Sequence, residues 1–178
     1  MKTIMKKIIF IAIIALASFG TLNAQDTTFG ASAGYYNLNL KVSEGSISAS
    51  TSASGFYVGL FADIEVGESF SIQPELQFGS ANNEGESVDQ ILVPIMFKYN
   101  ISSEFNIHAG PQLDLIVSES EGINTFGLSL GFGIGYDISD QFFISTNYAL
   151  GLTNRLEDAP SDFSLKFNTF QAGIGYRF

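Results

Sequence analysis

The sequence has no cysteine and no tryptophan, one histidine, four prolines and only eight basic residues in 178. Without cysteine there is no disulfide scaffold, no thiolate metal site and no cysteine nucleophile. A lone histidine excludes a multi-histidine metal centre. Eight Lys and Arg against 18 Asp and Glu leave a net charge of −10, and such a surface repels nucleic acid. Long apolar runs are also scarce: there is one, at the extreme N-terminus. Yet 46% of the residues are hydrophobic and only 15% are charged, too apolar a balance for disorder. The length suits a single domain. Its apolar residues therefore either build a soluble core or face lipid in a form that leaves no continuous run.

The N-terminal run reads as an address. Lys2, Lys6 and Lys7 precede the apolar stretch Ile8 to Gly20, and Thr21-Leu22-Asn23-Ala24 follows. A basic head, a short apolar body and a small residue before a polar one predict a secretory signal peptide over 1–24, cut after Ala24, with the mature domain over 25–178. The apolar body would rise only about 20 Å as a helix, short of the roughly 30 Å core of a bilayer. No cysteine is available at the cleavage site for a lipid anchor. The mature chain would keep five basic residues against all 18 acids, a net charge near −13.

The rest of the chain alternates. Phe70, Ile72, Pro74, Leu76 and Phe78 interleave with Ser71, Gln73, Glu75, Gln77 and Gly79, a period of two that places one set on each face of a strand. The same pattern sets Phe56, Val58, Leu60, Ala62, Ile64 and Val66 against Tyr57, Gly59, Phe61, Asp63 and Glu65. It recurs around 105–117, 126–136 and 170–178. Residues 91–100 and 142–154 alternate less tidily. In the first segment Phe29, Ala31, Ala33 and Tyr35 share a parity, whereas Leu38 and Leu40 fall on the other, so a bulge near Tyr36 is expected to restore one face.

The connections are expected near 41–54, 67–69, 80–90, 101–104, 118–124, 137–141 and 155–164. Long ones, rich in Ser, Gly and acid, alternate with short ones. The stretch Gly45 to Ser54 could also extend a hairpin beyond the membrane. Short turns at one rim and long polar loops at the other are the layout of an outer-membrane barrel, whose strands need only about 9–11 residues to cross. A soluble barrel would alternate too, but its second face would be hydrated and rich in charge. Here that face carries Gly, Ser, Thr, Asn and Gln, which suits a narrow filled interior. The expected fold class is therefore all-β: an eight-stranded antiparallel up-and-down transmembrane β-barrel in the bacterial outer membrane.

Tyr176-Arg177-Phe178 at the terminus, Val93-Pro94-Ile95 with Lys98-Tyr99, Ala109-Gly110-Pro111 and Tyr148 to Asn154 together resemble the PorT-like outer-membrane β-barrel family. The resemblance covers the whole mature chain. It implies an eight-stranded barrel inserted by the barrel-assembly machinery, which would recognise a C-terminal aromatic signal supplied by Tyr176 and Phe178. Most members of that family have no assigned activity.

Inside such a barrel, charges must be paired or neutralised. A polar plug of Glu65, Glu75, Lys98, His108, Asp114 and Arg177 is expected, with Lys98 and Arg177 meeting Glu75, Glu65 or Asp114. The glycine face of 127–135 could instead leave a narrow path for ions or water. A lipid-modifying hydrolase would need His108 as base beside a serine such as Ser71 or Ser145, and no serine motif stands out. Glu84, Glu86, Asp89, Glu119, Glu121, Glu157, Asp158 and Asp162 in the loops match no EF-hand spacing and read as solvated acids. Pro74, Pro94 and Pro111 interrupt strands and call for bulges or positions near a rim. No cofactor, metal or enzymatic activity is expected. Outer-membrane lipid and lipopolysaccharide are the expected surroundings. The expected role is structural, adhesive or partner-binding through the long loops, toward an unknown extracellular or periplasmic protein. A small pore is the alternative and a lipid-modifying enzyme the second alternative.

Overall fold

The computed structural model describes residues 27–45, 47–83, 85–118, 122–156, 160 and 162–178. The expected signal peptide over 1–24 lies outside them, as do Glu84, Glu119, Glu121, Glu157 and Asp158. Eight strands follow in chain order: β1 (Thr27–Glu44), β2 (Ile47–Gly67), β3 (Phe70–Asn83), β4 (Glu86–Asn100), β5 (Phe105–Ile116), β6 (Phe126–Asp137), β7 (Phe142–Gly151) and β8 (Phe163–Arg177). Each pairs antiparallel with its neighbours, and β8 returns to β1, closing the ring. Within the closed ring each strand has a partner on both sides, the condition for a sheet to cross lipid.

One rim carries the short connections 68–69, 101–104 and 138–141, as expected. At the other rim two of the expected long loops are strands instead. β1 and β2 stay in register from Thr27↔Ile64 to Glu44↔Ile47, so only Gly45 and Ser46 join them. β3 and β4 pair out to Asn83↔Glu86 in the same way. The turn glycines Gly45 and Gly85 have φ of 56° and 95°, backbone that suits a residue without Cβ. β5, β6 and β7 stop earlier, so β8, β1, β2, β3 and β4 continue as a wall beyond the closed part of the barrel.

No bulge occurs near Tyr36; the β1–β2 register runs through it unshifted. The parity change has another cause. Phe29 and Tyr35 face outward, while Tyr36 and Leu38 are fully buried inside the barrel. On the outward face of β1, aromatic and alanine positions give way to Asn37, Asn39 and Lys41, while the inward face turns apolar. β2 changes in step from Phe56 to Ser54, Ser52 and Ser50, and β8 from Phe170 to Asn168 and Lys166. A strand leaving lipid for water must turn its polar groups outward, and the alternation inverts there. The one register shift in the β2–β3 pair lies between Glu65 and Gly67, at the turn rim.

The outward apolar belt is bounded by aromatic residues. Phe70–Tyr99 and Phe142–Tyr176 ring pairs stand 4.9 Å apart at the turn rim, and Tyr35–Phe170 stand 6.4 Å apart where the polarity inverts. Along β2 the belt runs from Phe56 to Val66, about 25 Å of height for strands tilted near 40°.

The prolines lie neither at rims nor at bulges. Pairing of β4 with β5 stops after Pro94↔Gln112 and resumes unshifted at Phe97↔Ala109, a gap that also contains Pro111. Pro74 pairs with Ile95, one strand over. The missing donors of all three are thus concentrated in one mid-wall band across β3, β4 and β5, where a local interruption replaces a bulge.

Candidate functional site: the filled interior

Inward positions divide into two layers. Toward the hairpin rim, Tyr36, Leu38, Ala53, Leu92, Ile116, Leu165 and Phe167 form one buried apolar cluster, with Ile123 and Leu156 of the loops packed on it. Toward the turn rim the interior is polar.

At the junction sits Arg155, only 2% exposed although it belongs to the β7–β8 connection. Its Nη2 donates to Asp114 Oδ2, and its Nη1 to the carbonyl of Asn124 at 3.2 Å. The guanidinium lies over the Phe167 ring, 4.9 Å from the centroid. Gln90 Nε2 donates to the same carboxylate oxygen at 3.0 Å, and Tyr36 Oη donates to Gln90 Oε1 at 2.5 Å. Strands β1, β4 and β5 are thereby tied to the loop across the lumen. Gly127 makes this possible, because a Cβ there would collide with the guanidinium.

Below it, Gln171 Nε2 donates to Gln77 Oε1 at 2.7 Å, joining β8 to β3. Ser32 Oγ donates to the buried carboxylate of Glu75. His108 is held between two asparagine side chains, with Nε2 2.6 Å from Asn147 Oδ1 and Nδ1 3.1 Å from Asn106 Oδ1. Among the described residues no serine hydroxyl bonds either ring nitrogen, so the Ser-His arrangement of a hydrolase is not formed. Between these groups remains a cavity of about 30 Å³ as seen by the centre of a water, space for roughly two waters.

The polar layer ends at a second set of ion pairs. Lys98 Nζ donates to Asp63 Oδ2 at 2.5 Å and to Gln73 Oε1 at 3.1 Å. Arg177 Nη2 donates to Asp137 Oδ1 at 2.6 Å, and its guanidinium covers the Phe143 ring at 4.6 Å. Outside them an open vestibule of about 530 Å³ occupies the turn rim, lined among others by Glu65, Asn100, Glu104 and Asp140.

The expected pairings are therefore corrected. Lys98 and Arg177 meet Asp63 and Asp137, not Glu75, Glu65 or Asp114. Glu65 is exposed in the vestibule rather than buried. Glu75, Lys98, His108 and Asp114 are buried inside, and Arg177 closes the floor. Alternation had identified the inward faces, but Arg155 lies off any strand and carries no periodic signal. The one sequence signal for a further buried cation is the charge balance, since the inward acids outnumber Lys98 and Arg177, and it does not name Arg155.

The inward spaces beside the β6 glycines are occupied. A Cβ at Gly131 would meet the Met96 side chain, one at Gly133 would meet His108 and Asn147, and one at Gly135 would meet Asn106. Likewise Gly30 accommodates Phe61, and Gly175 accommodates Phe143. These glycines are the spaces that neighbouring side chains fill, the small-against-large packing of a narrow barrel.

At the C-terminus, Phe178 N donates to Phe29 O at 2.8 Å, and the Tyr176 and Phe178 rings lie 5.9 Å apart on the outward face. Among the described residues no group of acids and histidine could hold a metal ion.

Solved outer-membrane barrels share this architecture. Ail, the attachment invasion locus protein of Yersinia pestis, aligns over 86% of this chain and 99% of its own, with 17% identity and a TM-score of 0.55. Neisserial surface protein A aligns over 86% and 99%, with 13% identity and a TM-score of 0.54. OprG of Pseudomonas aeruginosa aligns over 86% and 97%, with 11% identity and a TM-score of 0.51. At these identities the likeness concerns the fold alone. No curated protein sequence matches the chain significantly. The family-level match is broad, covering residues 9–178. Together with a closed eight-stranded ring, a lipid-facing belt and a filled lumen, it makes this chain a member of the outer membrane protein beta-barrel domain family.

Proposed function

We propose that this protein is a non-conducting, non-enzymatic surface barrel of the bacterial outer membrane, which holds a rigid β-wall outside the cell for structural, adhesive or partner-binding work. The signal peptide over 1–24 would deliver it to the envelope, and Tyr176 and Phe178 would present it to the barrel-assembly machinery. This is the route of PorT-like barrels. The short turns then face the periplasm and the paired hairpins face outward.

One observation carries the reading: the lumen is closed in two layers while the strands above it remain paired. The cavity between the Arg155 and Lys98 networks has room for about two waters. The wall, by contrast, is ordered sheet to within two residues of both hairpin tips. Ail is described as an attachment and invasion protein, a role that a display barrel of this form would suit.

The test separates display from conduction. In planar bilayers the purified protein is expected to be silent, and single-channel steps would overturn the reading. Cells expressing a variant shortened at 41–50 and 82–87 should keep the barrel in the outer membrane and lose adherence to protein-coated surfaces. Adherence equal to that of the full chain would remove the wall from the proposal.

A further inference from the structure

The described chain has five basic residues, and three of them are consumed inside: Lys98, Arg155 and Arg177 form the three ion pairs. The remaining two, Lys41 and Lys166, stand directly opposite one another on β1 and β8. Both face outward, on the same side as the lipid belt. Among the described residues neither has an acidic partner. Directly opposed residues of an antiparallel pair lie only about 4.5–5.5 Å apart at Cα, and like charges so placed repel. Their outward neighbours on β1, β2 and β8 are Asn39, Ser43, Ser50, Ser164 and Asn168, all neutral hydrogen-bonding groups.

Position adds the second argument. The last apolar outward residue of β8 is Phe170, opposite Asn37, and the lysines lie four residues further along each strand. At the tilt of such barrels that is about 10 Å above the belt, and lysine stems bend back readily toward the interface. Their ammonium groups thus reach the layer of lipid headgroups from the side, at the level of the wall's lower part.

We infer that Lys41 and Lys166 form a docking site for the phosphate of an outer-leaflet lipid headgroup, with the surrounding Ser and Asn side chains bonding its sugar or ester oxygens. The phosphate sits between the two ammonium groups and relieves their repulsion, as a point-charge site for phosphate does. A lipid fits better than a protein partner, because the site opens laterally into the membrane interface rather than toward the hairpin tips. The site would hold one lipid against the β1–β8 seam where the barrel closes.

Native mass spectrometry of the detergent-solubilised chain, titrated with bis-phosphorylated lipid A, tests this. The full-length protein should retain one lipid A, K41Q/K166Q should bind at least ~tenfold more weakly, and K41R/K166R should bind as the parent does. Dephosphorylated lipid A should bind the parent as weakly as lipid A binds the double Gln variant. Heat-modifiable gel migration confirms that each variant is folded. Equal retention by the parent and K41Q/K166Q would overturn the site. Inorganic phosphate that competes at the affinity of lipid A would overturn the lipid assignment.

Discussion

Arg155 and Asp114 are 2% and 5% exposed, so the pair has surrendered nearly all its hydration. Such a pair contributes little net stability over an apolar substitute, but removing one partner strands the other charge. Arg155→Met should therefore cost about 3–5 kcal/mol of unfolding free energy, measured by urea titration in lipid vesicles. Adding Asp114→Asn should recover more than half of that loss, because the amide needs no counter-charge and still accepts from Gln90. A double variant no more stable than the single one would show that Arg155 acts through its packing on Phe167 instead. The carboxylates were legible as inward from alternation, but their partners were not. Pairing across a lumen depends on which strands face each other, and a loop residue enters only once the ring is closed.

Each strand of the wall carries two patterns joined head to tail. In the membrane the outward face is apolar and the inward face polar, as on β3 in Ile72, Leu76 and Phe78 against Ser71, Glu75 and Gln77. Above it, Ser54, Ser52 and Ser50 face outward while Ala53 is buried. Read as a single pattern, the change of parity in β1 suggested a bulge, since a bulge also moves side chains from one face to the other. Only the partner strands distinguish the two, because β2 and β8 change polarity at the same height. Substitutions should report that boundary. Leu130→Arg, mid-belt on β6, is expected to cost about 2–4 kcal/mol, whereas Ser52→Arg on the outward face of the hairpin should stay within about 0.5 kcal/mol. Equal costs in vesicle unfolding titrations would place the lipid boundary elsewhere. Two of the four long connections, 41–54 and 80–90, are sheet for a related reason: Ser- and Gly-rich composition reads as loop, and although the alternation of Gly45 to Ser54 allowed an extended hairpin, only the register shows it.

At the scale of the molecule, closure is the dominant fact. No strand of the transmembrane ring has a free edge, so unfolding must open the ring and expose backbone groups where lipid offers no hydrogen bonds. The barrel should therefore stay compact in cold detergent and migrate faster on gels before boiling than after, in material taken from the outer-membrane fraction. Identical migration before and after boiling, or recovery as a soluble product, would contradict the fold. The filled interior gives a further expectation at this scale. Enlarging the lumen at a single residue, as in Tyr36→Ala, should leave conductance undetectable, because the lower Lys98 and His108 layer remains. Steps from that variant alone would mean the upper layer is the sole barrier.

The sequence by itself determined the class of the molecule. A period of two, repeated eight times with apolar residues on one parity and small polar residues on the other, is compatible with few solvents other than lipid outside and a narrow packed lumen inside. Within the lipid belt it also determined which faces point inward, because alternation follows from the pleat of each strand and needs no neighbour; above the belt, where the pattern inverts, it did not. The tertiary structure decided everything that depends on a partner: that Arg155 neutralises Asp114, that glycines are spaces already filled, that three prolines lie in one mid-wall band, and that Lys41 and Lys166 stand side by side. Those are relations between residues far apart in the chain, and only the register of a closed ring brings them together.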